Sequence, residues 1–179
     1  MSAPLSAAID LPTDVETTWA ALSSPSWPAV LADHLSDGSA VVRAEPTPDG
    51  GAVLVTTREL PSGAPPPLQR FVPADGRVTQ TDTWGPAVDG VRRGTWQVVL
   101  PGSPGQVVGD MTVEPTGTGS RWSVSGRVTV RVPLIGGKVE GMLAPLVERL
   151  VHRQGEVLRD ALVTGEFDRP RWGLSGGAP

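Results

Sequence analysis

The fold is decided by Ser120-Arg121-Trp122-Ser123-Val124-Ser125-Gly126-Arg127-Val128-Thr129-Val130-Arg131-Val132 and the residues that follow it, Pro133-Leu134-Ile135-Gly136-Gly137-Lys138-Val139-Glu140. In the first part Trp122, Val124, Gly126, Val128, Val130 and Val132 share one parity. Arg121, Ser123, Ser125, Arg127, Thr129 and Arg131 share the other. Side chains on a strand alternate between faces, so the pattern predicts a half-buried antiparallel strand that is wet on one side. Gly126 stands at its middle, where a residue without Cβ tolerates a bend or bulge. Past the Pro-Gly junction the period changes from 2 to about 3.6. Val139, Met142, Leu143, Leu146, Leu150, Val157, Leu158, Ala161 and Leu162 form an apolar stripe, with Glu140, Glu148, Arg149, Arg153, Glu156 and Asp160 mostly opposite. A helix is therefore expected to run to Thr164 and stop at Gly165. Pro145 either kinks it or opens its main part. Strand and helix both come to roughly 40 Å, which suits a bent sheet closing on a long helix.

Upstream, Leu5, Ala7, Ile9 and Leu11 alternate on a short strand, and Val15, Trp19 and Leu22 recur at helical spacing. Thr13 and Glu16 have the spacing of a capping box. Ser24-Pro25 ends that helix, and Ser26 is placed to cap a second one carrying Trp27, Val30, Leu31 and Leu35, closed by Asp37-Gly38. Strands are predicted over residues 39–45, 52–60, 77–84, 91–100 and 106–115. Pro48-Asp49-Gly50-Gly51 is a hairpin turn, and residues 61–67 form a Pro/Gly-rich loop that Leu68, Phe71 and Val72 are spaced to pin down. Gly85-Pro86, residues 101–105 and residues 117–119 read as breaks between strands. One strand, two short helices, six strands and a long helix make an α+β domain on an antiparallel sheet. Its expected span is residues 5–165, with 166–179 a C-terminal tail tacked down by Trp172.

At 179 residues the chain is long enough to bury roughly 70% of its unfolded surface without crosslinks. It contains no cysteine, which excludes disulfides, thiolate ligands and a cysteine nucleophile and fits a reducing compartment, so a cytoplasmic location is expected. Residues 1–5 do not have the basic patch and apolar core of a signal peptide, and no run of 18 apolar residues predicts a membrane span. With 19 acidic and 15 basic residues and a net charge of -4, the chain makes a poor partner for nucleic acid.

The motifs that invite a chemical reading are weak. Gly136-Gly137-Lys138 departs from a phosphate loop at both ends, because Val132 stands where its first glycine belongs and Val139 where Ser or Thr belongs. It reads as a strand-to-helix turn with Lys138 on the surface. Gly117-Thr118-Gly119 lacks the third glycine of a dinucleotide loop and reads as a hairpin turn. His34 sits beside Trp27, Leu31 and Leu35 and is expected to be partly buried with a backbone partner. His152 has Glu148 and Glu156 at i±4 and belongs to a solvated face. Two histidines and no cysteine make a nitrogen/sulfur metal site improbable, and no cofactor is expected. Asp82, Asp110 and Glu114 lie on strands, but no spacing rule unites them as an acid/base pair, so no catalytic residue is assigned.

The element order, the junction from Val132 to Glu140, Thr81-Asp82-Thr83-Trp84 ending one strand, and Pro101-Gly102-Ser103-Pro104-Gly105 between two others resemble a known family. It is an uncharacterised actinobacterial family of the START-like superfamily, also called helix-grip or SRPBCC. The resemblance covers about residues 5–165. It implies a curved seven-stranded antiparallel sheet around a long C-terminal helix, often enclosing an apolar cavity. Members of the superfamily bind lipids, sterols or polyketides; some are cyclases. The family itself brings no catalytic residue with it.

Trp84, Trp96 and Trp122 fall on three different strands, and the inward parity of their neighbours adds Val98, Met111, Val124 and Val128. Met142, Leu146 and Leu150 would face them from the helix. These ten residues are the candidate ligand walls. The plainer alternative is that they fill a solid core. Three functions stay open: binding of a small apolar ligand without catalysis, a cyclase-like enzyme with at least two perturbed polar groups in one pocket, and a protein-interaction module with a large exposed apolar patch.

Overall fold

The computed structural model describes residues 2–59, 75–99 and 104–168. The expected loop at 61–67, its anchors Leu68, Phe71 and Val72, most of the 101–105 break, and Trp172 with nearly all of the tail lie outside the described residues. The elements run in chain order as β1 (Ala3–Leu11), α1 (Val15–Ser23), α2 (Trp27–Leu35), β2 (Ala40–Pro46), β3 (Ala52–Glu59), β4 (Arg77–Val88), β5 (Val91–Val99), β6 (Gly105–Thr116), β7 (Gly119–Val130) and α3 (Gly136–Thr164). A single 3-10 turn, Glu166–Asp168, follows, and its Phe167 ring lies 6.1 Å from that of Trp27.

All seven strands join one antiparallel sheet in the order β1-β7-β6-β5-β4-β3-β2. Strands β1 and β2 lie at opposite edges, so α1 and α2 carry the chain from one side of the sheet to the other before the meander begins. The α+β helix-grip architecture is the one the sequence predicts. The alternation read in β1 and β7 holds: Leu5, Ala7, Ile9, Leu11, Trp122, Val124, Val128 and Val130 are all buried.

Local chemistry differs from expectation in four places. Asp14, not Thr13, caps α1, its carboxylate accepting from the Thr17 amide at 2.9 Å. Glu16 is drawn instead into a two-point pair with Arg92, at 2.9 and 2.7 Å. Ser26 makes no side-chain cap; its own amide donates to the Ser24 hydroxyl at 3.1 Å. Gly85-Pro86 does not end β4. The strand continues to Val88 through a register shift between Trp84 and Ala87, where a bulge spares the ladder the donor that proline lacks. The hairpin turn is Asp89-Gly90, with φ of 52° and 74°, a two-residue loop whose left-handed backbone matches the strand twist.

Helix α3 is continuous across Pro145 and ends at Gly165, which adopts φ 65° as expected of a C-terminal glycine. It packs over β1 and β7 at one end of the sheet. Its inward line is Glu140, Ala144, Val147, Val151, Gln154, Leu158 and Ala161, spaced alternately by four and three residues. Of the predicted stripe, Val139, Val157, Leu158 and Ala161 are buried as expected, whereas Leu146 is exposed and Met142 half-buried. Apolar counting skipped the small and polar buried residues of this helix, and two of them, Glu140 and Gly155, have a visible reason to be there. Glu140 accepts the last free amide of β7, that of Val130, at 2.9 Å. Gly155, one residue past Gln154, leaves room for Ile9, which a Cβ there would strike. Glu148 and Arg159 reach the open edge of β1, bonding the Ser6 amide at 2.8 Å and the Asp10 carbonyl at 3.1 Å.

Candidate functional site

Antiparallel register sorts the inner face of the sheet into rows. One row is Leu54, Asp82, Trp96, Gly109 and Gly126; the next is Ala52, Trp84, Gly94, Met111 and Val124. Each row sets a tryptophan beside a glycine on the neighbouring strand. The missing Cβ is what lets the indole lie along the sheet: a Cβ on Gly94 would sit 2.9 Å from Trp84 Cε3, and one on Gly109 2.6 Å from Trp96 Nε1. Trp96 is fixed there by donating from Nε1 to the Ser125 carbonyl at 3.1 Å.

Because α3 sits over β1 and β7, a space remains between its middle and the inner faces of the central strands. This cavity measures about 140 Å³. Trp96, Val98, Met111, Trp122 and Val124 line it from the sheet, and Leu143, Leu150 and Val151 from the helix. Three polar side chains also reach it: Arg58, Gln80 and Gln154.

Six of the ten predicted wall residues thus meet around one space: Trp96, Val98, Met111, Trp122, Val124 and Leu150. The other four do not line it. Trp84 and Val128 are sealed in the solid part of the core, at 2% and 1% exposure. Met142 and Leu146 stand off the inward line of α3. Leu143, Val147 and Val151 take their place.

The polar members were not legible from hydropathy, since a charged residue inside a strand is expected to face water. Arg58, Gln80 and Asp82 instead share the inward parity of β3 and β4 with Leu54, Val78 and Trp84. Gln80 Nε2 donates to both oxygens of Asp82, at 2.8 and 3.0 Å. Burial pushes the Asp82 carboxyl up to about 6, against the pull of the Gln80 amide and the positive field of Arg58. Burial likewise draws Arg58 down, opposed by Asp37 and Asp82. Asp110 and Glu114, by contrast, project from the opposite face of the sheet, so no acid/base pair forms with Asp82.

His34 is exposed and bonded through Nε2 to Glu166 at 3.0 Å, a surface side-chain partner where partial burial and a backbone partner were expected. His152 is exposed on the outer side of α3. Among the described residues no group of three His, Asp or Glu side chains gathers as a metal site, and no helix is long and apolar enough to cross a membrane.

No curated protein matches this sequence. Solved structures that share its fold include TTHA0849 of Thermus thermophilus, with a TM-score of 0.58 at 15% identity over 91% of this chain and 99% of that one. Truncated norcoclaurine synthase of Thalictrum flavum gives 0.56 at 15% identity over 91% and 94%. Ms6760 of Mycobacterium smegmatis gives 0.56 at 12% identity over 91% and 92%. At such identities the likeness speaks for the fold alone, a helix-grip arrangement of a curved antiparallel sheet and a long C-terminal helix. Residues 6–162, nearly all of the strands and most of α3, match one family over their whole extent, and the chain belongs to it: the family described as Protein of unknown function (DUF2505).

Proposed function

We propose that the space between α3 and the sheet binds a small, mostly apolar molecule about the size of one ring, without catalysing its conversion. The observation that carries this reading is the cavity itself. Native interiors are packed like organic crystals, and voids larger than a water molecule are few. A space of about 140 Å³ walled by two indoles, a methionine and aliphatic side chains is therefore a feature to be explained. Cavities of roughly 150 Å³ with apolar walls accept benzene, whereas sites for drug-sized ligands run from roughly 300 Å³ upward. The volume favours a single ring over a sterol or an extended polyketide.

A cyclase-like activity has one observation on its side, the raised pKa of Asp82. Against it, Asp82 is not part of the cavity wall, and Gln80 occupies both of its oxygens. A general acid or base needs a reach of about 2.6–3.2 Å to its substrate. The geometry supports a binder better than a catalyst.

The test is a thermal-unfolding series with toluene and indole as ring-sized probes and cholesterol as the large one. At a hundredfold excess over Kd, toluene or indole is expected to raise Tm by about 5 °C or more, and cholesterol to leave it unmoved. A panel in which neither small probe moves Tm defeats the reading.

A further inference from the structure

The polar end of the cavity allows the guest's chemistry to be narrowed, on the assumption that the cavity is a binding site as argued above. We infer that the molecule it takes is a monoanion, a single-ring carboxylate in its simplest form, with the ring among the indoles and aliphatic walls and the carboxylate on the guanidinium of Arg58.

Arg58 is 7% exposed and belongs to the cavity lining, and its Nε has no hydrogen-bond partner among the described residues. None of the described carboxylates lies within ion-pair distance of it; Asp37 and Asp82 act on it only through their fields. Residues 60–74 and 100–103 contain no Asp or Glu that could supply a further acid. Holding a guanidinium away from water without a contact anion is costly, and a carboxylate that fits its planar fork relieves that cost. A second donor points the same way. Trp122 Nε1 is buried, without a partner among the described residues, and its side chain lines the same space. Buried indole N–H groups ordinarily find an acceptor. Two unpartnered donors on residues that line one apolar cavity favour a guest that brings acceptors. The fields of Asp37 and Asp82 already offset part of the Arg58 charge, which favours one negative charge on the guest over two.

Calorimetric titration of the whole chain with benzoate, benzamide and toluene tests this. Benzoate and benzamide have nearly the same shape, toluene is the apolar ring alone, and only benzoate is charged. On the wild type, benzoate is expected to bind about tenfold tighter than benzamide or toluene. In Arg58→Met that preference should fall to within about threefold while toluene binding is retained. Near-UV circular dichroism checks that the variant is folded. If it is not, Arg58→Lys, which keeps the charge and loses the fork, should lower the benzoate preference partway. Benzoate binding no tighter than toluene on the wild type overturns the carboxylate assignment and leaves the cavity reading standing. Failure of all three probes to bind overturns both.

Discussion

The Trp96 indole donates to the Ser125 carbonyl two strands away, and it does so by lying over Gly109 on the strand between. The floor of the cavity depends on this arrangement, because an indole standing up from the sheet would occupy the space it now borders. A Cβ on Gly109 would run into the Ser125 carbonyl oxygen and lie 2.6 Å from both Gly126 Cα and Trp96 Nε1. The obstacles are mostly backbone, so they cannot swing away. Gly109→Ala is therefore expected to lower stability by on the order of 3 kcal/mol, read from urea unfolding. A loss within experimental error would mean that Trp96 is not held as described.

Asp82 links stability to pH. Burial pushes its carboxyl up to about 6 in the fold from an ordinary value of 3.8. A folded-state value above the unfolded one means that the group favours the fold when protonated. Its contribution is full below pH 3.8 and is lost as pH rises through about 6. The difference corresponds to at most about 3 kcal/mol. Asp82→Asn keeps an acceptor for Gln80 and removes the charge. It should be more stable than the wild type at about pH 8, with the gap closing toward about pH 4. A gap that stays constant with pH would show that Asp82 is not buried as charge beside Arg58.

Filling the cavity should trade binding for stability. Val98 borders the space from β5, and Val98→Ile adds one methylene to it while keeping a β-branched residue on the strand. The expected gain is about 0.8 kcal/mol in urea unfolding, together with about tenfold weaker toluene binding. Destabilisation with unchanged toluene affinity would place the probe elsewhere.

Glu140 joins the long helix to the strand before it. Its carboxylate, 3% exposed, accepts the Val130 amide at 2.9 Å. Glu140→Ala leaves that amide buried and unpaired, a loss of about 1–3 kcal/mol. Equal stability of Glu140→Ala and wild type would remove this bond from the account of how α3 is seated.

The parts of this fold that alternation governs were readable in advance. Leu5 to Leu11 and Trp122 to Val130 bury one parity because one face of each strand is wet, and hydropathy records that directly. The helix was readable in extent and in part of its buried face, Val139, Val157, Leu158 and Ala161; Glu140, Ala144, Gln154 and Gly155 are buried too but carry no apolar signal. Gly85-Pro86 read as a stop because proline usually is one; a bulge accommodates it, and Asp89-Gly90 beyond it was the stronger turn signal. Five wall residues followed from strand parity, and Leu150 from the apolar stripe of the helix. Arg58, Gln80 and Asp82 did not, because inward-facing polar residues look on paper like a solvated strand face. Only their register beside Leu54, Val78 and Trp84 reveals them.

The most direct measurement is an intermolecular nuclear Overhauser experiment between toluene and the methyl groups of the labelled protein. Binding between sheet and helix predicts cross-peaks from toluene to Met111, Val124, Leu143 and Leu150, which reach one space from opposite elements. Cross-peaks confined to exposed methyls such as Val42, Leu134 or Val163, or none at concentrations that shift Tm, would contradict it.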